Sequence, residues 1–99
     1  MHYTETMVDD MIQLDLEGKI DAVNCDEFQD IILKTFLKTN KVILNFEQIK
    51  YISSAGLKAI ILGDKTAISK GGKLIIINVQ SQVRDVFRVT GLESVLDIR

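Results

Sequence analysis

Tyr51-Ile52-Ser53-Ser54-Ala55-Gly56-Leu57 is the stretch on which the fold turns. Before it, Val42-Ile43-Leu44-Asn45-Phe46 is a short apolar run that reads as a buried strand; after it, Leu57, Ile60, Ile61 and Ile68 recur at helical spacing. Two serines therefore stand where a strand gives way to a helix. A side-chain oxygen at a helix start can accept a backbone N–H that has no partner within the helix. The same N–H groups, backed by the helix dipole, favour negative charge. Here Ser54 is expected to lie at the cap, with the Ser53 hydroxyl facing the rim.

Working outward, Lys41 to Phe46 shows no alternation, so both faces of this strand are expected to be covered. The helix opened by the serines should stop at Gly71-Gly72, and Leu74-Ile75-Ile76-Ile77 supplies the next strand. Strand, helix and strand form a βαβ unit, which implies a parallel pair joined by a right-handed crossover. Upstream, Met11 to Glu17 alternates, with Ile12, Leu14 and Leu16 on one face and Gln13, Asp15 and Glu17 on the other. Tyr3 to Val8 reads as an edge strand joined to it through Asp9-Asp10 as an antiparallel hairpin. Gly18 to Asp21 reads as a loop. Asn24 and Glu27 resemble a capping box for a helix running to about Lys38, whose core stripe is Phe28, Ile31, Ile32, Thr35 and Phe36. A third helix is expected to be capped by Ser81, to bury Val83, Val86 and Phe87, and to stop at Gly91, with Val95 to Ile98 as a last strand. The fold class is α/β: one domain over 1–99, a mixed β-sheet with helices mainly on one face.

The chain has 99 residues, 46% apolar and 26% charged, an ordinary globular composition. Twelve basic against fourteen acidic residues give a net charge of −2, and no basic stripe interleaved with aromatics is present, which argues against nucleic acid as partner. The apolar runs are short and the first residues lack a signal-peptide pattern, so no membrane partner and a cytoplasmic location are expected. The single Cys25 allows no internal disulfide and suits a reducing compartment. Neither a GxxxxGK[ST] loop, a GxGxxG turn nor metal-ligand spacing of His and Cys occurs. No nucleophile–base set accompanies the carboxylates, so no catalytic residue, cofactor or metal is assigned. His2, Asp9, Asp10, Asp15 and Glu17 are taken as solvated surface, and Arg84 with Arg88 as an exposed basic edge.

Taken together, the strand ending in Asn, the Ser53-Ser54-Ala55-Gly56-Leu57 helix start, Gly18-Lys19-Ile20-Asp21-Ala22 upstream, and Gly71-Gly72-Lys73 and Thr90-Gly91-Leu92 downstream resemble the STAS domain of anti-sigma factor antagonists. In that family the helix start reads Asp-Ser-Ser/Ala-Gly-Leu, and the serine after the Asp is phosphorylated. The resemblance implies that Ser54 is the phosphoacceptor, with Ser53, standing where the family has Asp, as second choice. It also implies a partner-binding surface comprising Asp21, Ser53, Ser54, Ala55, Gly56 and Leu57. By the same resemblance the protein is not an enzyme but a binding module. It would bind an anti-sigma factor of the GHKL serine-kinase type, releasing a sigma factor and so regulating transcription, and a PP2C-type phosphatase would reset it. The alternative is a non-phosphorylated STAS scaffold subunit of a signalling or lipid-transport assembly. Residue by residue, local readings stay open. Both serines serve equally as capping hydroxyls, Asp21 as a turn residue, and Gly56 with Ala55 as steric allowances for close packing.

Overall fold

The computed structural model describes residues 1–99. Five strands form one sheet in sequential order, β1 (His2–Val8), β2 (Met11–Ile20), β3 (Lys41–Ile52), β4 (Lys73–Ile77) and β5 (Asp97–Ile98). Three helices join the parallel strands: α1 (Cys25–Phe36), α2 (Ser54–Ser69) and α3 (Ser81–Val89). β1 pairs antiparallel with β2, through the turn at Asp9-Asp10, and every later pair is parallel. The sheet is therefore mixed, as the sequence pattern implies.

One hydrophobic cluster takes alternate residues of β2, β3 and β4 together with residues of all three helices. Its centre is a row of phenylalanines. Phe46 of β3 lies between Phe28 of α1 and Phe87 of α3, with ring centroids 6.5 and 6.4 Å apart. Each such ring removes about 1.5–3 kcal/mol worth of apolar surface from water, and tilted pairs add about 0.5–1.5 kcal/mol. The stripe expected on α1 is the one that is buried: Phe28, Ile31, Ile32, Thr35 and Phe36.

Several expectations are corrected. Ile43 and Ile75 point away from the central cluster, and no helix covers that face; the apolar run of β3 reflects shielding by neighbouring strands rather than a second layer. β3 runs on to Ile52, six residues past Phe46, because Ile49 and Ile52 continue the inward row beside an equally extended β2. Gly18 to Ile20 is accordingly strand, not loop, with irregular register on either side of Gly18. α1 ends at Phe36, earlier than Lys38. The α2 face that packs inward is Gly56, Leu57, Ala59, Ile60, Gly63 and Ala67, a narrow stripe of small residues. Ile61 is only half-buried, and Ile68 is 68% exposed. Small residues are needed there because α1 lies close: a Cβ on Gly63 would stand 2.8 Å from Ile32 Cγ2.

The helix start of α3 also differs, since Gln80 rather than Ser81 holds the cap position and no side chain bonds there; Val86 is half-buried. The last strand is two residues, with Val95 outside it. At the end of α2 the Gly71-Gly72 pair acts as a stop. Gly71 adopts φ +68°, and Gly72 N–H donates to the Ala67 carbonyl at 2.8 Å, closing the last turn.

Candidate functional site

The extended β2 and β3 end side by side. Lys19 lies opposite Tyr51 and Ile20 opposite Ile52, and the ladder closes where Ser53 N–H donates to the Ile20 carbonyl at 2.8 Å. One parallel pair thus brings together two loops separated by thirty-odd residues of chain: the turn beginning at Asp21 and the start of α2. The sequence motifs Gly18–Ala22 and Ser53–Leu57 meet in space.

At the helix start the two serines exchange the roles expected of them. Ser53 is the cap, in extended conformation, and its hydroxyl oxygen accepts from Gly56 N–H at 3.3 Å. Ser54 is the first helical residue, exposed, and no intramolecular hydrogen bond engages its hydroxyl. The reason is backbone accounting. The residue tied by its N–H to Ile20 must still be in strand conformation, and only such a residue can turn its oxygen onto an N–H three positions on. Ser53 satisfies both conditions. Ser54 is left as a free hydroxyl on a helix N-terminus.

Gly56 and Leu57 belong to the interior. A Cβ on Gly56 would lie 2.7 Å from Ile20 Cγ2 and 2.8 Å from Ile52 Cγ1, and Leu57 is 5% exposed. The steric reading of Gly56 is therefore correct, and neither residue offers side-chain surface to a partner. Of the six residues named for partner binding, the accessible ones are Asp21, Ser53, Ser54 and Ala55.

Asp21 organises its own turn. Its Oδ1 accepts from Val23 N–H at 3.0 Å and from Asn24 N–H at 3.3 Å, while Lys19 Nζ lies 3.7 Å from Oδ2. Asn24 answers with its Oδ1, which accepts from Asp21 N–H at 2.9 Å, and its Nδ2 donates to the Lys19 carbonyl at 2.8 Å. Asn24 is consumed by this turn and makes no cap bond to α1; Glu27 pairs instead with the Met1 amino group, so the capping box does not form. The turn leaves Val23 93% exposed, and Tyr51, opposite Lys19 at the end of the β2–β3 pair, is 52% exposed. The sequence signal for Val23 is a branched apolar residue between the two polar residues, Asp21 and Asn24, that hold the turn.

Elsewhere, the expected basic edge of α3 is largely neutralised. Arg84 lies 3.5 Å from Glu93 and Arg88 3.0 Å from Asp85. Cys25 is half-buried at the start of α1. No helix is long and apolar enough to cross a membrane.

A mixed sheet of this order with helices on one face, and a serine-bearing helix start at the end of its central strand, is the arrangement of an α/β domain of one family. The family model described as STAS domain matches residues 4–99, and the chain belongs to that family. BtrV of Bordetella bronchiseptica, to which anti-sigma factor antagonism is ascribed, is 26% identical over 99 residues, covering 99% of this chain and 85% of that protein. The crystal structure of tm1081 from Thermotoga maritima superposes with a TM-score of 0.87 at 23% identity, over 97% of this chain and 84% of the other. The anti-sigma factor antagonist SpoIIAA matches in its unphosphorylated form with a TM-score of 0.82 at 21% identity, over 99% and 88% of the two chains. The phosphorylated form from Bacillus matches with a TM-score of 0.74 at 20% identity, over 99% and 91%.

Proposed function

We propose that this chain is an anti-sigma factor antagonist switched by phosphorylation of Ser54. In its unphosphorylated form it binds an anti-sigma factor of the GHKL serine-kinase type in the cytoplasm, so that a sigma factor is released. The kinase then phosphorylates Ser54 from ATP and loses its hold, and a PP2C-type phosphatase restores the hydroxyl. The chain is ligand and substrate in this cycle and performs no chemistry of its own.

The observation that carries the reading is the division of labour between the serines: Ser53 spends its hydroxyl on Gly56 N–H, and Ser54 stands exposed with its hydroxyl free. Support also comes from the likeness to SpoIIAA, a protein known in both phosphorylated and unphosphorylated forms. The energetics suit a switch. A phosphoserine carries roughly −1.5 to −2 charge, and a helix N-terminus stabilises negative charge by about 0.3–1 kcal/mol. The fold therefore tolerates the modification. An acidic or apolar partner surface seated on the same place does not, because like charges set against each other at an interface cost several kcal/mol. Affinity changes while the domain does not.

Incubation with a candidate kinase and ATP should add one phosphate to the intact mass. Fragmentation of the tryptic peptide Tyr51–Lys58 should place it on Ser54; phosphate on Ser53 alone would overturn the assignment. Ser54→Ala should keep partner affinity and accept no phosphate. Ser54→Asp should weaken binding at least about tenfold, roughly 1.4 kcal/mol, with an unchanged melting temperature. Unaltered affinity in that variant would remove Ser54 from the interface.

A further inference from the structure

β1 is an exposed sheet edge. Its residues are exposed from His2 to Met7, no helix packs along it, and its register with β2 runs without interruption. A strand in that position presents a row of unpaired backbone N–H and C=O groups to any further strand. Proteins usually blunt such edges with proline, lysine, an inward-pointing charge, a bulge or brevity. β5, at the opposite edge, is blunted by brevity, being two residues long. β1 has seven residues, no bulge, no proline and no lysine, and its one inward-facing charge, Glu5, is paired with Lys38.

Its sequence has a second property. Read about Glu5, the strand is close to palindromic in character: threonine on either side at Thr4 and Thr6, then a large apolar residue on either side at Tyr3 and Met7. An antiparallel partner related by a two-fold axis through Glu5 would set Thr4 against Thr6 and Tyr3 against Met7, each twice. The pairing with β2 sorts these by face. Tyr3 and Met7 lie opposite Leu16 and Ile12 on the helix side, and Thr4 and Thr6 lie opposite Asp15 and Gln13 on the open side. Tyr3 and Met7 are 39% and 65% exposed, and each would be covered by its counterpart from the other copy. The backbone imposes no conflict, because a two-fold axis through Glu5 maps each alternate set of strand residues onto itself. The outward N–H and C=O groups therefore meet their complements whichever set carries them.

The axis places Glu5 against Glu5, and like charges directly opposite on a sheet are unfavourable. Here each carboxylate already carries a counter-ion, since Lys38 Nζ, from the turn that follows α1, lies 2.6 Å from Glu5 Oε1. Two such pairs around the axis make an alternating set of two positive and two negative charges, so the juxtaposition becomes complementary. We propose that β1 is the docking edge for a second copy of this chain, joining two five-stranded sheets into one continuous sheet. The opposite end of the sheet order is untouched, and α2, which follows β3, leaves Ser54 accessible in both copies.

Sedimentation of the full chain from micromolar to millimolar concentration tests this directly. The expected result is reversible association to twice the chain mass. Met7→Lys should weaken that association at least about tenfold with an unchanged melting temperature, and Lys38→Glu should weaken it comparably by leaving four acids on the axis. If Met7→Lys perturbs folding, Thr6→Lys on the other face serves the same purpose. The register has its own test. Residues facing each other across an antiparallel pair have Cα atoms about 4.5–5.5 Å apart, inside the range a disulfide spans. Glu5→Cys in a Cys25→Ser background should therefore oxidise to a covalent dimer. A chain that stays monomeric at millimolar concentration overturns the proposal. So does a dimer indifferent to Met7→Lys and Thr6→Lys, or one in which Glu5→Cys fails to cross-link.

Discussion

At the residue scale, two adjacent serines of identical chemistry do different work, and the difference comes from backbone position alone. Ser53 is fixed between an N–H bond to Ile20 and a hydroxyl bond from Gly56 N–H, whereas Ser54 makes no such contact. Stability should divide accordingly. Losing a capping side chain costs about 1 kcal/mol, which in a domain of about this size lowers the melting temperature by about 4–8 °C. Ser53→Ala is expected to show that loss and Ser54→Ala to show almost none. Ser53→Asp, which puts the family's residue at the cap, should recover the wild-type value, because Asp caps as well as Ser and adds favourable charge. A melt in which Ser54→Ala is the destabilised variant would restore the roles the bare sequence suggests. The motif was legible in the sequence, but the assignment of cap and free hydroxyl was not. Cap geometry depends on where β3 ends, and β3 ends where β2 lets it, at the bond to Ile20.

At the scale of elements, the parts most legible from sequence were those whose pattern is self-contained. The α1 stripe and the β1–β2 hairpin are of this kind, since amphipathic period and turn chemistry act within a dozen residues. What sequence did not reveal was set by distant neighbours. Gly18 to Ile20 looks like a turn on its own, yet it is strand because β3 lies alongside it. Asn24 looks like a helix cap, yet its side chain is taken by Asp21 and Lys19. Ile68 fits the α2 stripe by spacing, yet the packing surface is the small-residue face, because α1 approaches too closely for larger groups. Gly72 shows the same dependence at its most severe. A Cβ there would stand 1.6 Å from the Asn40 carbonyl oxygen, and that same oxygen accepts from Lys73 N–H at 2.9 Å to start β4 beside β3. Backbone cannot move aside as a side-chain tip can. Gly72→Ala is therefore expected to cost about 3 kcal/mol or more, the upper end for overpacking. Gly56→Ala, which meets only the side chains of Ile20 and Ile52, should cost less. Denaturant midpoints that rank the two variants in the opposite order would place the tighter constraint at the serine end of α2.

At the scale of the whole molecule, two carboxylates on opposite sides of the sheet order answer pH with opposite sign. Asp10, in the β1–β2 turn, is held below the ordinary carboxylate value by a hydrogen bond from Lys41 and by that ammonium's charge. Its contribution is present above the unfolded value and lost as pH falls through the lower folded one. Asp64, within α2, is pushed above the ordinary value, first by desolvation and then by the negative charge of Asp97 on β5. The folded chain holds that proton more tightly than the unfolded chain. The stability linked to it is therefore complete below the unfolded value and is lost as pH rises through the folded one. At neutral pH the domain thus carries a partly desolvated charge that also feels a second acid, Asp97, itself paired with Arg99 at 3.0 Å. Asp64→Asn is expected to raise the melting temperature at neutral pH, and the gain should vanish below the ordinary carboxylate range, where wild-type Asp64 is itself protonated. Asp97→Asn should recover only part of that gain, since it relieves the second cause and not the first and leaves Arg99 without its partner. Urea midpoints of the three chains across the acid range provide the measurement. A gain from Asp64→Asn that stays constant with pH would trace it to packing around the helix, and the two acids would then not be coupled through charge.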